Sequence, residues 1–113
     1  MPYIHLSANV PIPEHTGEAI KTQLGHAIQA LPGKSEDWLM VRIGGEEALW
    51  FAGSDEPAAM VQVSIYGAAG ADDYDTLTGR ITEILDGTLG IRPERVYVQY
   101  SETEHWGWNG RNF

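Results

Sequence analysis

The sequence predicts an α+β fold: two pseudo-symmetric β-α-β units that form a four-stranded mixed sheet, with two helices on one face and short edge strands. Three observations predict it. The chain has 113 residues, of which 42% are apolar and 20% charged, which suits one globular domain spanning 1–113. Apolar residues alternate with period two in two stretches and recur at helical spacing in two others. The same pattern also appears twice, offset by 57 residues, as from Ile4 to Val61. The repeat divides the chain at about 1–57 and 58–113.

The first unit opens with a strand over 3–8, where Ile4, Leu6 and Ala8 share a face. Ile20, Leu24, Ala27, Ile28 and Leu31 follow as a helical stripe. Gly33 is placed as a left-handed stop after that helix. Leu39, Val41 and Ile43 mark the second strand. GGEE at 44–47 reads as a turn, and ALWF at 48–51 as a short strand beyond it.

The second unit repeats this order. Residues 60–66 alternate as a strand. Tyr74, Leu77, Ile81, Ile84 and Leu85 form the helical stripe, with Asp72 or Asp73 as its N-terminal cap. Gly90 is the stop, and Val96, Val98 and Tyr100 belong to the last strand. Each strand–helix–strand unit makes parallel neighbours through a right-handed crossover.

One sheet face then carries the apolar residues beneath the helices. The other carries Tyr3, His5, Ser7, Gln62, Ser64, Tyr66, Tyr97 and Gln99. Two readings of that face stand: a half-solvated surface, or a subunit interface suited to a small two-layer domain. In the second, WFAGSDEP and the tail HWGWNGRNF extend edges toward neighbouring subunits.

Composition excludes several functions. Net charge is −9, from 16 acidic and 7 basic residues, which disfavours nucleic acid and anionic membranes as partners. There is no cysteine, hence no disulfide, thiolate nucleophile or thiol-disulfide chemistry. No apolar run reaches the roughly 18 residues of a membrane span, so no membrane insertion is expected. The start MPYIHLSANVPIPEH lacks the plan of a signal peptide, which makes the cytosol the default location. His5, His15, His26 and His105 have no metal-like spacing, so no metal is expected.

Pro2 carries the chemical question. Small second residues permit removal of the initiator methionine, and that would leave a secondary amine. An α-amino group titrates near about 7.7–8.0, and an apolar pocket lowers that value. A neutral amine on a rigid ring is a usable general base. The alternative is an ordinary strand start. Lys34, unaided, reads as a solvated lysine after the helix stop, where a cation also favours the helix dipole.

Several motifs in combination sharpen this reading: MPYIHLSANVP at the start, GK at 33–34, FAGSDEPAA at 51–59, RPERVYVQY at 92–100 and WGWNGRNF at 106–113. Together they resemble the macrophage migration inhibitory factor and D-dopachrome tautomerase family, nearly end to end. The resemblance implies that family's fold, a homotrimer, and cofactor-free keto–enol tautomerase activity on phenylpyruvate-like α-keto acids. It implies Pro2 as the catalytic base, moving a proton between carbon and the enol oxygen. Lys34 binds the substrate carboxylate. The Ile65–Tyr66 segment adds a backbone N–H at Tyr66. Tyr97 comes from the adjacent subunit, and Gln99 stands where the family has asparagine. Trp38, Trp106, Trp108 and Phe113 supply aromatic walls.

This chain departs from the family at AAMV (58–61), which replaces a two-cysteine segment. Tyr66 and Trp106 are bulkier than the usual isoleucine and valine, and the loop before Gly107 is shorter. A reshaped pocket with altered substrate preference follows. The alternative function is a cytokine-like, host-interaction protein acting through a receptor, with weak tautomerase activity and unconventional secretion. A third is hydration or dehalogenation of unsaturated acids, with Arg42 as an extra cation.

Overall fold

The computed structural model describes all residues from Met1 to Phe113. Pro2–Ala8 forms β1, Glu14–Ala27 forms α1, and Met40–Gly44 forms β2. The second unit has β3 at Ala59–Tyr66, α2 at Ala71–Leu89 and β4 at Val96–Thr103. Two-residue strands β5 (Gly107–Trp108) and β6 (Arg111–Asn112) end the chain. The four long strands run in the order β2-β1-β3-β4. β1 pairs with β2, and β3 with β4, in parallel, while β1 and β3 are antiparallel. Each unit is thus a parallel crossover pair, and one antiparallel seam joins the units. This is the mixed sheet that the repeat predicts.

The seam sets the core. Strand β1 buries alternate residues from Pro2 to Ala8, and β3 buries Ala59, Val61, Val63 and Ile65. Both helices lie on that face, contributing Ile20, Leu24, Leu77, Ile81 and Leu85 to a single apolar cluster. Each such side chain gains about 1.5–3 kcal/mol from burial. The opposite face stays uncovered, with Tyr3, His5 and Ser7 half-buried and Gln62, Tyr97 and Gln99 exposed. No helix is long and apolar enough to cross a membrane.

The helix ends differ from expectation in two ways. Gly70, not an aspartate, is the N-cap of α2. Asp73 serves from the third helical position, where its carboxylate accepts from the Gly70 N–H at 3.3 Å. Gly90 is left-handed (φ 67°) and stops α2 as expected. Helix α1 already loosens into a 3-10 turn at Ile28–Ala30, so Gly33 does not cap it. Gly33 (φ 77°) instead serves a turn in which the Lys34 N–H donates to Leu31 O at 3.1 Å. Pro32 followed by a positive-φ glycine is the pattern of a type II turn.

ALWF (48–51) is not a strand; only Phe51 makes a bridge, to Ser54. The backbone around it is claimed by side chains. The Asn9 amide donates to the carbonyls of Leu49, Asp55 and Glu56, and its oxygen accepts from the Ala58 N–H. Arg95 takes the carbonyls of Phe51, Ser54, Glu56 and Pro57. Few groups remain for a ladder within this chain.

Candidate active site

The site lies where the start of β1, the turn after α1 and the end of β3 converge. The sheet register puts Pro2 opposite Ile65. The Pro2 ring is buried. One residue further, the Tyr66 N–H donates to the Met1 carbonyl at 3.0 Å. The Pro32–Gly33 turn delivers Lys34 to the same place, and its ammonium donates to the Tyr66 carbonyl at 3.0 Å. Burial, then the charge of Lys34 and a hydrogen bond with it, hold the Met1 amine below the ordinary α-amino value. A cation and a backbone donor thus meet at the Met1–Pro2 junction. With Met1 attached, the Pro2 nitrogen is a tertiary amide without basicity.

An open groove of about 970 Å³ runs from this junction. Met1, Pro2 and Tyr3 form one side, Asp37–Arg42 another, and Trp106–Trp108 a third. Trp38 sits on a 3-10 turn at Glu36–Trp38. Its ring meets Trp108 edge-on at 5.1 Å, and Trp108 stacks on Phe113 at 6.2 Å. Phe113 in turn lies 5.5 Å from Tyr66. Four aromatic rings therefore link the groove to the residue whose backbone faces Met1.

The hairpin carrying Trp108 turns at Asn109 (φ 53°) and Gly110 (φ 84°). The Asn-Gly pair is a sequence signal for a two-residue hairpin. It is also the one cue in the tail that would have located β5 and β6 in advance.

The expected site residues divide into two groups. Pro2, Lys34, Tyr66, Trp38, Trp106 and Phe113 gather at one end of the sheet. Ile65 pairs with Pro2 in the sheet, but its side chain is buried in the core beneath the helices. Tyr97 and Gln99 lie elsewhere. Pro2 and Ile65 align with Glu102, whereas Tyr97 aligns with Met60 and Ser7. At roughly 3.3 Å per residue, Tyr97 lies about 17 Å further along the strands than Pro2. Within one chain it cannot line the groove. Arg42, expected only as an extra cation without a place, and Asp37, not singled out beforehand, do line it.

A two-layer α+β sandwich of two β-α-β units, with proline at the start of its central strand, defines the structural class. The family model for macrophage migration inhibitory factor (MIF) matches residues 1–113, and the chain belongs to that family. Macrophage migration inhibitory factor of Meriones unguiculatus is 28% identical over all of this chain and 99% of its own length. D-dopachrome decarboxylase of Gallus gallus is 29% identical, over 94% of this chain and 90% of its own. The crystal structure of Leishmania major MIF2 superimposes with a TM-score of 0.94 at 32% identity, covering 100% of this chain and 97% of that one.

Proposed function

We propose that this chain, once Met1 is removed, is a cofactor-free keto–enol tautomerase of phenylpyruvate-like α-keto acids, with Pro2 as general base. The carrying observation is the convergence of the Lys34 ammonium and the Tyr66 backbone on the Met1–Pro2 junction, at the head of an aromatic groove. Losing Met1 turns the Pro2 amide into a secondary amine at a buried position beside Lys34. Burial and that cation, which already depress the Met1 amine, act on the Pro2 amine in the same direction. Each of these influences favours the neutral amine, the form that can accept a proton.

Removing Met1 also frees the Tyr66 N–H from the Met1 carbonyl. With the Lys34 ammonium it offers a substrate carboxylate two donors, one of them charged. That anchor places the carbon next to the keto group over the Pro2 nitrogen. Pro2 takes a proton from the enol hydroxyl and returns it to that carbon, or does the reverse. The carboxylate anchor limits the freedom of the enolate, and Trp38, Trp106 and Trp108 receive the aryl ring.

The working unit in this proposal is a homotrimer in which a neighbour's Tyr97 and Gln99 complete each groove. Supporting this, Trp38, Met40, Trp50, Tyr97, Trp108 and Phe113 remain about half exposed or more in the single chain, between 49% and 68%. Pairing with a neighbouring subunit would cover these side chains.

The test compares Met1-free protein with protein carrying an uncleaved N-terminal extension, each checked by intact mass. Ketonisation of enol-phenylpyruvate is followed by absorbance. The proposal expects turnover by the Met1-free form alone. Equal rates from the extended form would remove the Pro2 amine from the chemistry.

A further inference from the structure

Arg95 is 6% exposed and has no carboxylate within ion-pair distance. A buried cation without a counter-charge is costly unless its donors are satisfied. Here Nε and the two terminal nitrogens donate to four carbonyls of one short loop: Phe51, Ser54, Glu56 and Pro57. A lysine offers no such planar fork, and an apolar residue of equal volume would fix no carbonyl at all.

What that fork holds in place is Phe51. Ala52 (φ 53°) and Gly53 (φ 76°) make a tight turn, closed by reciprocal hydrogen bonds between Phe51 and Ser54. The Arg95 guanidinium lies 5.2 Å from the centre of the Phe51 ring and also takes its carbonyl at 3.2 Å. The same ring meets Tyr97 edge-on, at 4.9 Å and 64°. Tyr97 is 62% exposed and makes no other ring contact and no hydrogen bond through its phenol. Its orientation within the chain therefore depends on Phe51.

We propose that Arg95 and Phe51 are positioning residues that fix the Tyr97 ring and so set the preference for an aryl side chain in the groove that Tyr97 serves. This rests on the reading above, in which Tyr97 lines a neighbour's groove. Arg95 acts only through Phe51 and touches no substrate. Fixing a ring before binding removes an ordering cost from the complex, so the effect falls on KM rather than on proton transfer.

The test uses Met1-free, trimer-checked protein with Phe51→Leu, Phe51→Tyr, Tyr97→Leu, Arg95→Lys and the Phe51→Leu/Tyr97→Leu pair. Phe51→Leu is expected to raise KM for phenylpyruvate about three- to tenfold, with kcat within about twofold. Phe51→Tyr keeps the ring and restores KM. In the Tyr97→Leu background, Phe51→Leu adds nothing further. Ring ¹³C relaxation of Tyr97 provides a readout independent of turnover: ordered in wild type and Phe51→Tyr, mobile in Phe51→Leu and Arg95→Lys. An equal Phe51→Leu effect with and without Tyr97 would overturn the proposal. So would a Tyr97 ring as rigid in Phe51→Leu as in wild type. If wild type turns over no phenylpyruvate, the tautomerase reading fails, and the relaxation data alone decide the positioning role.

Discussion

The Tyr66 N–H donates to the carbonyl oxygen of Met1 at 3.0 Å, so the residue that blocks the Pro2 nitrogen also occupies the backbone donor beside it. In the proposed mechanism, one processing event therefore frees both the base and half of the anion anchor. A non-enolisable carboxylate such as 3-phenylpropionate is expected to bind the Met1-free chain at least about tenfold more tightly than an N-terminally extended one, from one charge-assisted contact. Titration followed by the Tyr66 amide NMR signal checks this. Equal affinity would mean that Met1 does not compete for the anchor.

Lys34 has two separable effects. In the proposed mechanism it anchors the substrate carboxylate, and its charge depresses the neighbouring amine. Lys34→Met is expected to raise KM for phenylpyruvate about 10- to 100-fold, as for loss of a hydrogen bond to a charged group. The pH profile provides the second readout. In wild type, kcat/KM falls on the acid side as the amine gains a proton, at a pH below the ordinary α-amino range of about 7.7–8.0. Without the Lys34 charge that acid limb moves to higher pH. A limb that stays in place would assign the depression to burial alone.

Tyr74 and Glu102 form a lock beside the end of β3. The Tyr74 hydroxyl donates to the Glu102 carboxylate at 2.5 Å, and the same oxygen accepts from the Ala69 N–H at 3.4 Å. Partial burial, then the hydrogen bond and charge of Glu102, push the Tyr74 phenol up to about 12. A phenol raised in the folded state favours folding while protonated. Its contribution is complete below about 10, the unfolded value, and is lost as pH rises through about 12. Burial also raises the Tyr100 phenol, so absorbance titration should show two late-ionising phenols, of which Tyr74→Phe removes one. The stability difference between Tyr74→Phe and wild type should shrink between pH 10 and 12.

The core prediction is independent of chemistry. Leu77 is fully buried between α2 and the sheet. Leu77→Ala is expected to cost about 2–5 kcal/mol, read from urea unfolding. A loss below 1 kcal/mol would mean that the cluster closes around the gap.

Much of the fold was legible because burial writes itself as periodicity. Ile4, Leu6 and Ala8 alternate, as do Val61, Val63 and Ile65, and both sets face the helices. Ile81 and Leu85 lie one turn apart in α2 for the same reason. ALWF failed as a strand because its apolar letters say nothing about who claims its carbonyls. Asn9 and Arg95 claim that loop from 40 or more residues away. Long-range polar contacts of this kind leave no local pattern.

The site was legible only in part. Pro2 and Lys34 could be named, but their meeting depends on a turn at Pro32–Gly33 that the stripe of α1 does not specify. Ile65 entered the expected site through the family resemblance, and the pleat turns its side chain inward. Arg95 sits within the quoted RPERVY stretch, yet nothing in its letters distinguishes a buried staple from a solvated cation.

The most direct measurement is kcat/KM for phenylpyruvate in Met1-free wild type and Met1-free Pro2→Gly, with intact mass establishing both N-termini. A positioned general base contributes about 10²- to 10⁴-fold, so Pro2→Gly is expected to lose at least about two orders of magnitude, less whatever its own free amine retains. Equal values for the two proteins would contradict the assignment of the Pro2 nitrogen as the base.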